Sequence, residues 1–128
     1  VNAKIKVLIL DDETIVGERL KASLERAGYS VDAFSSSKNA LDKLREEEFD
    51  ILVTDLKMNS PDGMEVLRTA QQIRPGIKSV VITGFATKAT AEEAKQSGAV
   101  EFIAKPFKIS HLKDLLKKLS GTRDVVGE

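Results

Sequence analysis

Apolar residues in this chain gather into five short runs separated by longer amphipathic stretches. The runs are Lys4 to Leu10, Val31 to Phe34, Ile51 to Thr54, Val80 to Ile82 and Phe102 to Ala104, each short enough for a strand buried in a sheet. Between them, Ile15, Val16, Leu20, Leu24 and Ala27 recur at helical intervals and Gly28 closes the segment, as a C-terminal glycine does. Ser35-Ser36-Ser37 offers N-caps for a second helix that buries Ala40, Leu41 and Leu44 and leaves Arg45 to Glu48 in water. Met64, Leu67, Ala70 and Ile73 mark a third helix, stopped by Pro75-Gly76. Thr87 to Ser97 is helical in composition, but its apolar residues are only Ala89, Ala91 and Ala94, so it should be the least firmly held helix; Gly98 ends it. Leu112, Leu115, Leu116 and Leu119 form an i, i+3, i+4, i+7 stripe with Lys113, Lys117 and Lys118 facing outward. Strands alternating with helices in this way predict one α/β domain, a doubly wound five-stranded parallel sheet with five helices covering both faces.

In such a sheet the carboxyl ends of the strands open onto one edge, where ligands bind. Here those ends carry Asp11-Asp12-Glu13, Asp55, Thr83-Gly84 and Lys105-Pro106. Each alone has an ordinary explanation: acids suit the positive end of the first helix, and Thr-Gly or Lys-Pro suits a turn. Together they bring carboxylates, a hydroxyl and an ammonium to one crevice. Those are the groups that bind a divalent cation and a transferred phosphoryl group.

Composition narrows the classes. With 128 residues, 41% hydrophobic and 31% charged, the chain fits a single soluble domain rather than a disordered or fibrous one. Lys plus Arg and Asp plus Glu balance at 20 each, so no bulk positive field recruits nucleic acid or an anionic membrane. No Cys is present, compatible with a reducing cytosol. No apolar run approaches the ~18 residues of a membrane span, and the start lacks a signal-peptide layout. The chain begins at Val1, which suggests a trimmed start, and residues 121–128 lack periodicity and read as a tail or the start of a linker.

Asp11-Asp12, Asp55, Met58, Asp62-Gly63, Thr83-Gly84 and Lys105-Pro106-Phe107 give the chain, from Lys4 to about Leu119, a resemblance to the receiver domains of two-component response regulators. It departs from the family in one place: the proline usual four residues after the phosphoaccepting aspartate is Asn59 here, with Pro61 beyond it. The resemblance implies a flavodoxin-like sheet of order 2-1-3-4-5, with residues 1–120 as the receiver domain. It also implies a cytoplasmic switch that takes a phosphoryl group from the phosphohistidine of a sensor histidine kinase or a histidine phosphotransfer protein.

By the same resemblance Asp55 is the nucleophile. Mg²⁺ would be held directly by Asp12, through water by Asp11, by one oxygen of Asp55 and by the carbonyl of Lys57. Lys105 and Thr83 would contact the phosphoryl oxygens. Thr83 and Phe102 would relay the change to the surface of the fourth helix, fifth strand and fifth helix, where a downstream output domain or a phosphorylation-dependent dimer would form. The domain would catalyse its own phosphorylation and dephosphorylation while serving mainly as a regulator, with no direct contact to nucleic acid or membrane. Lys57 and Phe85 would flank the path of hydrolytic water. His111, the single histidine, should sit exposed at the start of the last helix. Asp-Asp-Glu after the first strand would repel a flavin phosphate, and adjacent rather than alternate aspartates do not suit a dehalogenase-type phosphatase. The alternative that remains is a receiver-like interaction module that is not phosphorylated.

Overall fold

A computed structural model describes residues 4–56, 63–84 and 86–120. Its elements alternate as expected: β1 (Lys6–Leu10), α1 (Thr14–Arg26), β2 (Ser30–Phe34), α2 (Ser37–Glu46), β3 (Ile51–Asp55), α3 (Gly63–Ile73), β4 (Lys78–Thr83), α4 (Lys88–Gln96), β5 (Ala99–Ala104) and α5 (Ile109–Leu119). All strand pairs are parallel, in the order β2-β1-β3-β4-β5. The flavodoxin-like arrangement follows, with the order reversing beside β1 so that the ends of β1 and β3 meet at the switch point.

Alternation along the strands sends side chains to two cores. Val7, Ile9, Ile51, Val53, Val80, Ile82 and Ile103 pack under Leu20 and Leu24 of α1 and Leu112 and Leu116 of α5. Leu8, Leu10 and Leu52 face Ala40 and Leu44 of α2 and Val66 and Ala70 of α3. A smaller cluster joins Leu56, Met64, Leu67 and Val81 to Ala94 and Ala99, with Phe102 packed against it. Because both faces of the central strands are covered, β1 and β3 read as nearly unbroken apolar runs.

Several local devices are as expected. Ser36 caps α2, its side chain accepting from the Asn39 amide at 3.3 Å. Gly28 takes a φ of +102° after α1, a conformation that costs other residues a steric clash. Met64, Leu67 and Ala70 of α3 are buried, and Ile73 is partly so.

Two expectations are corrected. Ile15 is 69% exposed; the buried stripe of α1 runs through Gly17, Leu20 and Leu24 instead. Gly17 lies over β2, where an added Cβ would meet the Ala33 side chain at 3.7 Å, an ordinary van der Waals distance. The fifth strand also starts at Ala99, ahead of the apolar run at Phe102. Pairing with β4 draws in Ala99 and Glu101 around a register shift at Ser79/Val80, and such an irregularity leaves no apolar signature. The tail expected at 121–128 lies outside the described residues. Among those described, no helix is long and apolar enough to cross a membrane.

These burial differences predict opposite outcomes for two truncations on one helix. Leu24→Ala should cost about 3 kcal/mol by removing a fully buried side chain, whereas Ile15→Ala should stay within about 0.5 kcal/mol. Urea unfolding of both variants checks this; a large loss for Ile15→Ala would contradict the exposed placement.

Candidate functional site

Backbone hydrogen bonds between strand ends place the polar residues. The Asp11 amide donates to the Phe34 carbonyl at 3.0 Å, which holds the end of β1 against β2. The Leu56 amide donates to the Ile82 carbonyl at 3.0 Å, and the Lys105 amide to the Thr83 carbonyl at 2.8 Å. β1, β3, β4 and β5 therefore end side by side. Asp11 also accepts the Glu13 amide on Oδ1 at 2.8 Å. It thus ties down the turn into α1, while Glu13, which occupies the N-cap position, makes no side-chain cap bond.

The crevice so formed holds the expected set. Asp11, Asp12 and Asp55 each offer a carboxylate oxygen within 4.8 Å of the others. Lys105 Nζ lies 3.4 Å from Asp55 Oδ2 and 3.7 Å from Asp11 Oδ2. Thr83 is fully buried, and its hydroxyl donates to the Leu56 carbonyl at a long 3.4 Å. The Lys105-Pro106 peptide is cis.

Among the described residues, three carboxylates stand against one ammonium at the crevice, which leaves them short of positive charge. Burial pushes the Asp11 carboxyl above its ordinary value; the Glu13 amide and Lys105 pull it down, and Asp55 and Asp12 push it up again. Among the described residues, Asp55 Oδ2 is buried without a hydrogen-bond partner, its contact with Lys105 being an ion pair that lacks hydrogen-bond geometry. A buried carboxylate oxygen left in that state is costly. An oxygen-rich acidic site with an orphaned oxygen fits a hard divalent cation such as Mg²⁺.

Phe102 lies apart from the crevice. Val81 pairs with Phe102 and Thr83 with Ala104, so period-two alternation puts the Thr83 and Phe102 side chains on one face of the sheet. Phe102 lines a groove of about 260 Å³ with Ala91, Ala94, Ala99 and Val100. His111 is exposed near the start of α5. Lys57, expected to give a carbonyl ligand, lies outside the described residues, as do Met58, Asn59, Pro61, Asp62 and Phe85. Gly63 is described, and the backbone approaches closely there: an added Cβ would stand 3.1 Å from Leu56 Cα. Sequence reasoning missed the Leu56 carbonyl as the acceptor for Thr83, and no side-chain signal could have shown it.

Residues 7–117 match the family model described as the response regulator receiver domain. The chain belongs to that family. This receiver domain is 33% identical over its whole length to the transcriptional regulatory protein ZraR of Salmonella typhimurium, of which it spans 29%. It is 35% identical to the response regulator receiver protein CpdR of Brucella abortus, over 89% of this chain and 92% of that protein. In structure it is similar to a CheY-like receiver domain protein from Methanospirillum hungatei, with a TM-score of 0.83 and 31% identity over 95% of both chains.

The raised Asp11 carboxyl has a consequence for stability. An acid whose folded pKa is raised holds more protons folded than unfolded between its ordinary and raised values, so stability falls as pH rises through that window. In metal-free buffer, Asp11→Asn should therefore be more stable than the parent at neutral pH. The advantage should shrink as pH falls through the window and vanish below the ordinary aspartate value. Unfolding midpoints of both proteins across that range check it, and a neutral-pH loss of stability in the variant would contradict the assigned cause.

Proposed function

We propose that this receiver domain is a phosphorylation switch in which Asp55 accepts a phosphoryl group from a phosphohistidine of a sensor histidine kinase or histidine phosphotransfer protein. The observation that carries the reading is the junction of Asp11, Asp12, Asp55, Thr83 and Lys105 at one sheet edge. An interaction module that is not phosphorylated would have no need for an orphaned aspartate oxygen beside a half-buried lysine and a buried threonine.

One Asp55 carboxylate oxygen attacks phosphorus in line, the phosphorus–nitrogen bond breaks, and the histidine nitrogen keeps the electron pair. Lys105, already 3.4 Å from Asp55, receives negative charge from the phosphoryl oxygens. The Thr83 hydroxyl exchanges its long bond to the Leu56 carbonyl for one to a phosphoryl oxygen. A Mg²⁺ bound by Asp11, Asp12, Asp55 and the Lys57 carbonyl would supply the neutralisation that lets an anion approach three carboxylates. The inward pull on Thr83 shifts the end of β4, and Phe102, on the same face, turns into the space beside it. The affected surface is α4, β5 and α5, where an output domain or a second receiver would dock. Residues 1–120 form the domain in this reading, and residues 121–128 a tail or linker. Its site of action is the cytoplasm.

Incubation with acetyl phosphate and Mg²⁺ should add one phosphoryl group by intact mass, and Asp55→Asn should reduce the yield at least about a hundredfold, as expected for loss of a nucleophile. Equal yield in the variant, or in chelator, would overturn the roles of Asp55 or of the metal. Thr83→Ala should still be phosphorylated but show a weaker amide response across α4, β5 and α5. An unchanged remote response would remove Thr83 from the relay.

A further inference from the structure

Near the start of the β4–β5 pairing the register slips. Ser79 pairs with Ala99 but Val80 pairs with Glu101, so β5 carries one residue more than β4 there, Val100. Ala99 and Phe102 both pack on the cluster of Leu67, Val81 and Ala94, although residues three apart on a regular strand point to opposite faces. The extra residue accounts for this. Val100 is turned outward, 49% exposed, and Phe102 arrives on the face that Thr83 shares. Period two along β4 puts Ser79 on that face as well. Ser79 is fully buried, and among the described residues its hydroxyl has no hydrogen-bond partner. Polar side chains about the turn into β5 are engaged elsewhere: Arg68 Nη1 donates to Ser97 Oγ at 3.1 Å, and the Gln71 side-chain amide donates to the Ile77 carbonyl at 2.9 Å.

We propose that the Ser79 hydroxyl binds an internal water that bridges to main-chain groups freed at the Val100 bulge, and that Ser79 is thereby a positioning residue for the β4–β5 register. A bulge leaves its extra residue out of the ladder, and a buried hydroxyl without a partner costs stability. Two deficits meet in one place. One water, which takes about two to four hydrogen-bond partners, relieves both. There is room beside the bulge: the groove lined by Ala94, Ala99, Val100 and Phe102 measures about 260 Å³, against about 30 Å³ for a water in the liquid. The consequence is register. Were the extra residue drawn back into the ladder, Phe102 would pass to the other face of the sheet, away from Thr83. The positioning role rests on the reading that Thr83 and Phe102 respond together; the water site stands without it. Ser79 touches neither Asp55 nor the cation.

Oxygen-17 relaxation dispersion on the full chain tests the site, because it counts long-lived waters and is blind to the serine hydroxyl itself. Ser79→Val, which keeps an apolar side chain of similar size and removes the hydroxyl, should hold one long-lived water fewer than the parent. Ser79→Ala should raise the unfolding equilibrium constant about fivefold, the loss of one hydrogen bond, whereas removal of a dry, unpaired hydroxyl would lower it. In Ser79→Val, exchange of the Val100 and Glu101 amides should quicken about fivefold. Beryllofluoride with Mg²⁺ should still bind that variant, but the shift it induces at Phe102 should weaken. An equal water count in parent and variant, or a gain in stability from Ser79→Ala, would overturn the water site. Unchanged exchange at Val100 and Glu101, or an undiminished response at Phe102, would overturn the positioning role. Failure of beryllofluoride to bind the parent would count against the Asp55 reading instead, and the water count and exchange would still decide the site.

Discussion

Charge imbalance at the sheet edge is the constraint from which the rest of this domain follows. Asp11, Asp12 and Asp55 lie together with Lys105 as the ammonium ion-paired to Asp11 and Asp55. Like charges drawn together in a partly buried crevice oppose folding, and burial holds the Asp11 carboxyl above its ordinary value. The arrangement persists because the strand ends are locked by backbone bonds that do not depend on those charges. In the proposed reading, a cation and then a phosphoryl group would complete what the folded chain leaves unbalanced. The site is therefore built at the expense of local stability, as functional sites often are.

In the proposed switch, the strand ends that hold the charges also link them to a distant surface. Thr83 terminates a strand buried on both faces, and its neighbour in the sheet is the end of β5. In that switch, a pull on its hydroxyl would be taken up toward α4 rather than along β4, which is packed from Ser79 to Thr83. Of α4, Ala94 is the residue fully buried. Stiff strand and lightly held helix in series concentrate a small displacement in the helix. Coupling of this kind needs a two-state element rather than a long wire of contacts.

Much of the fold was legible along the chain. Apolar runs marked each strand core, and the alternation with amphipathic stretches specified parallel pairing, since only crossovers of helical length join parallel strands. The sparse alanines of α4 announced its weak hold. Boundaries and facing were less legible. Ile15 fits the apolar count of α1 yet points to water, because the buried side of the helix is the one on which Leu20 and Leu24 pack against the sheet, with Val16 beside them. Ala99 to Glu101 joined β5 only through partners on β4.

What the sequence determined by itself was the inventory and order of chemical groups at strand ends: Asp11 and Asp12, Asp55, Thr83 and Lys105. Residue type and chain position are local facts, and the parallel sheet carries them to one edge whatever the details of packing. Distances and backbone acceptors were decided by tertiary structure alone. The Leu56 carbonyl that holds the Thr83 hydroxyl, the Lys105–Asp55 ion pair, and the Arg68–Ser97 hydrogen bond all join residues far apart in the chain. Such contacts depend on how strands register and how helices seat. A main-chain carbonyl or a surface arginine carries no mark of its partner until the chain has folded around it.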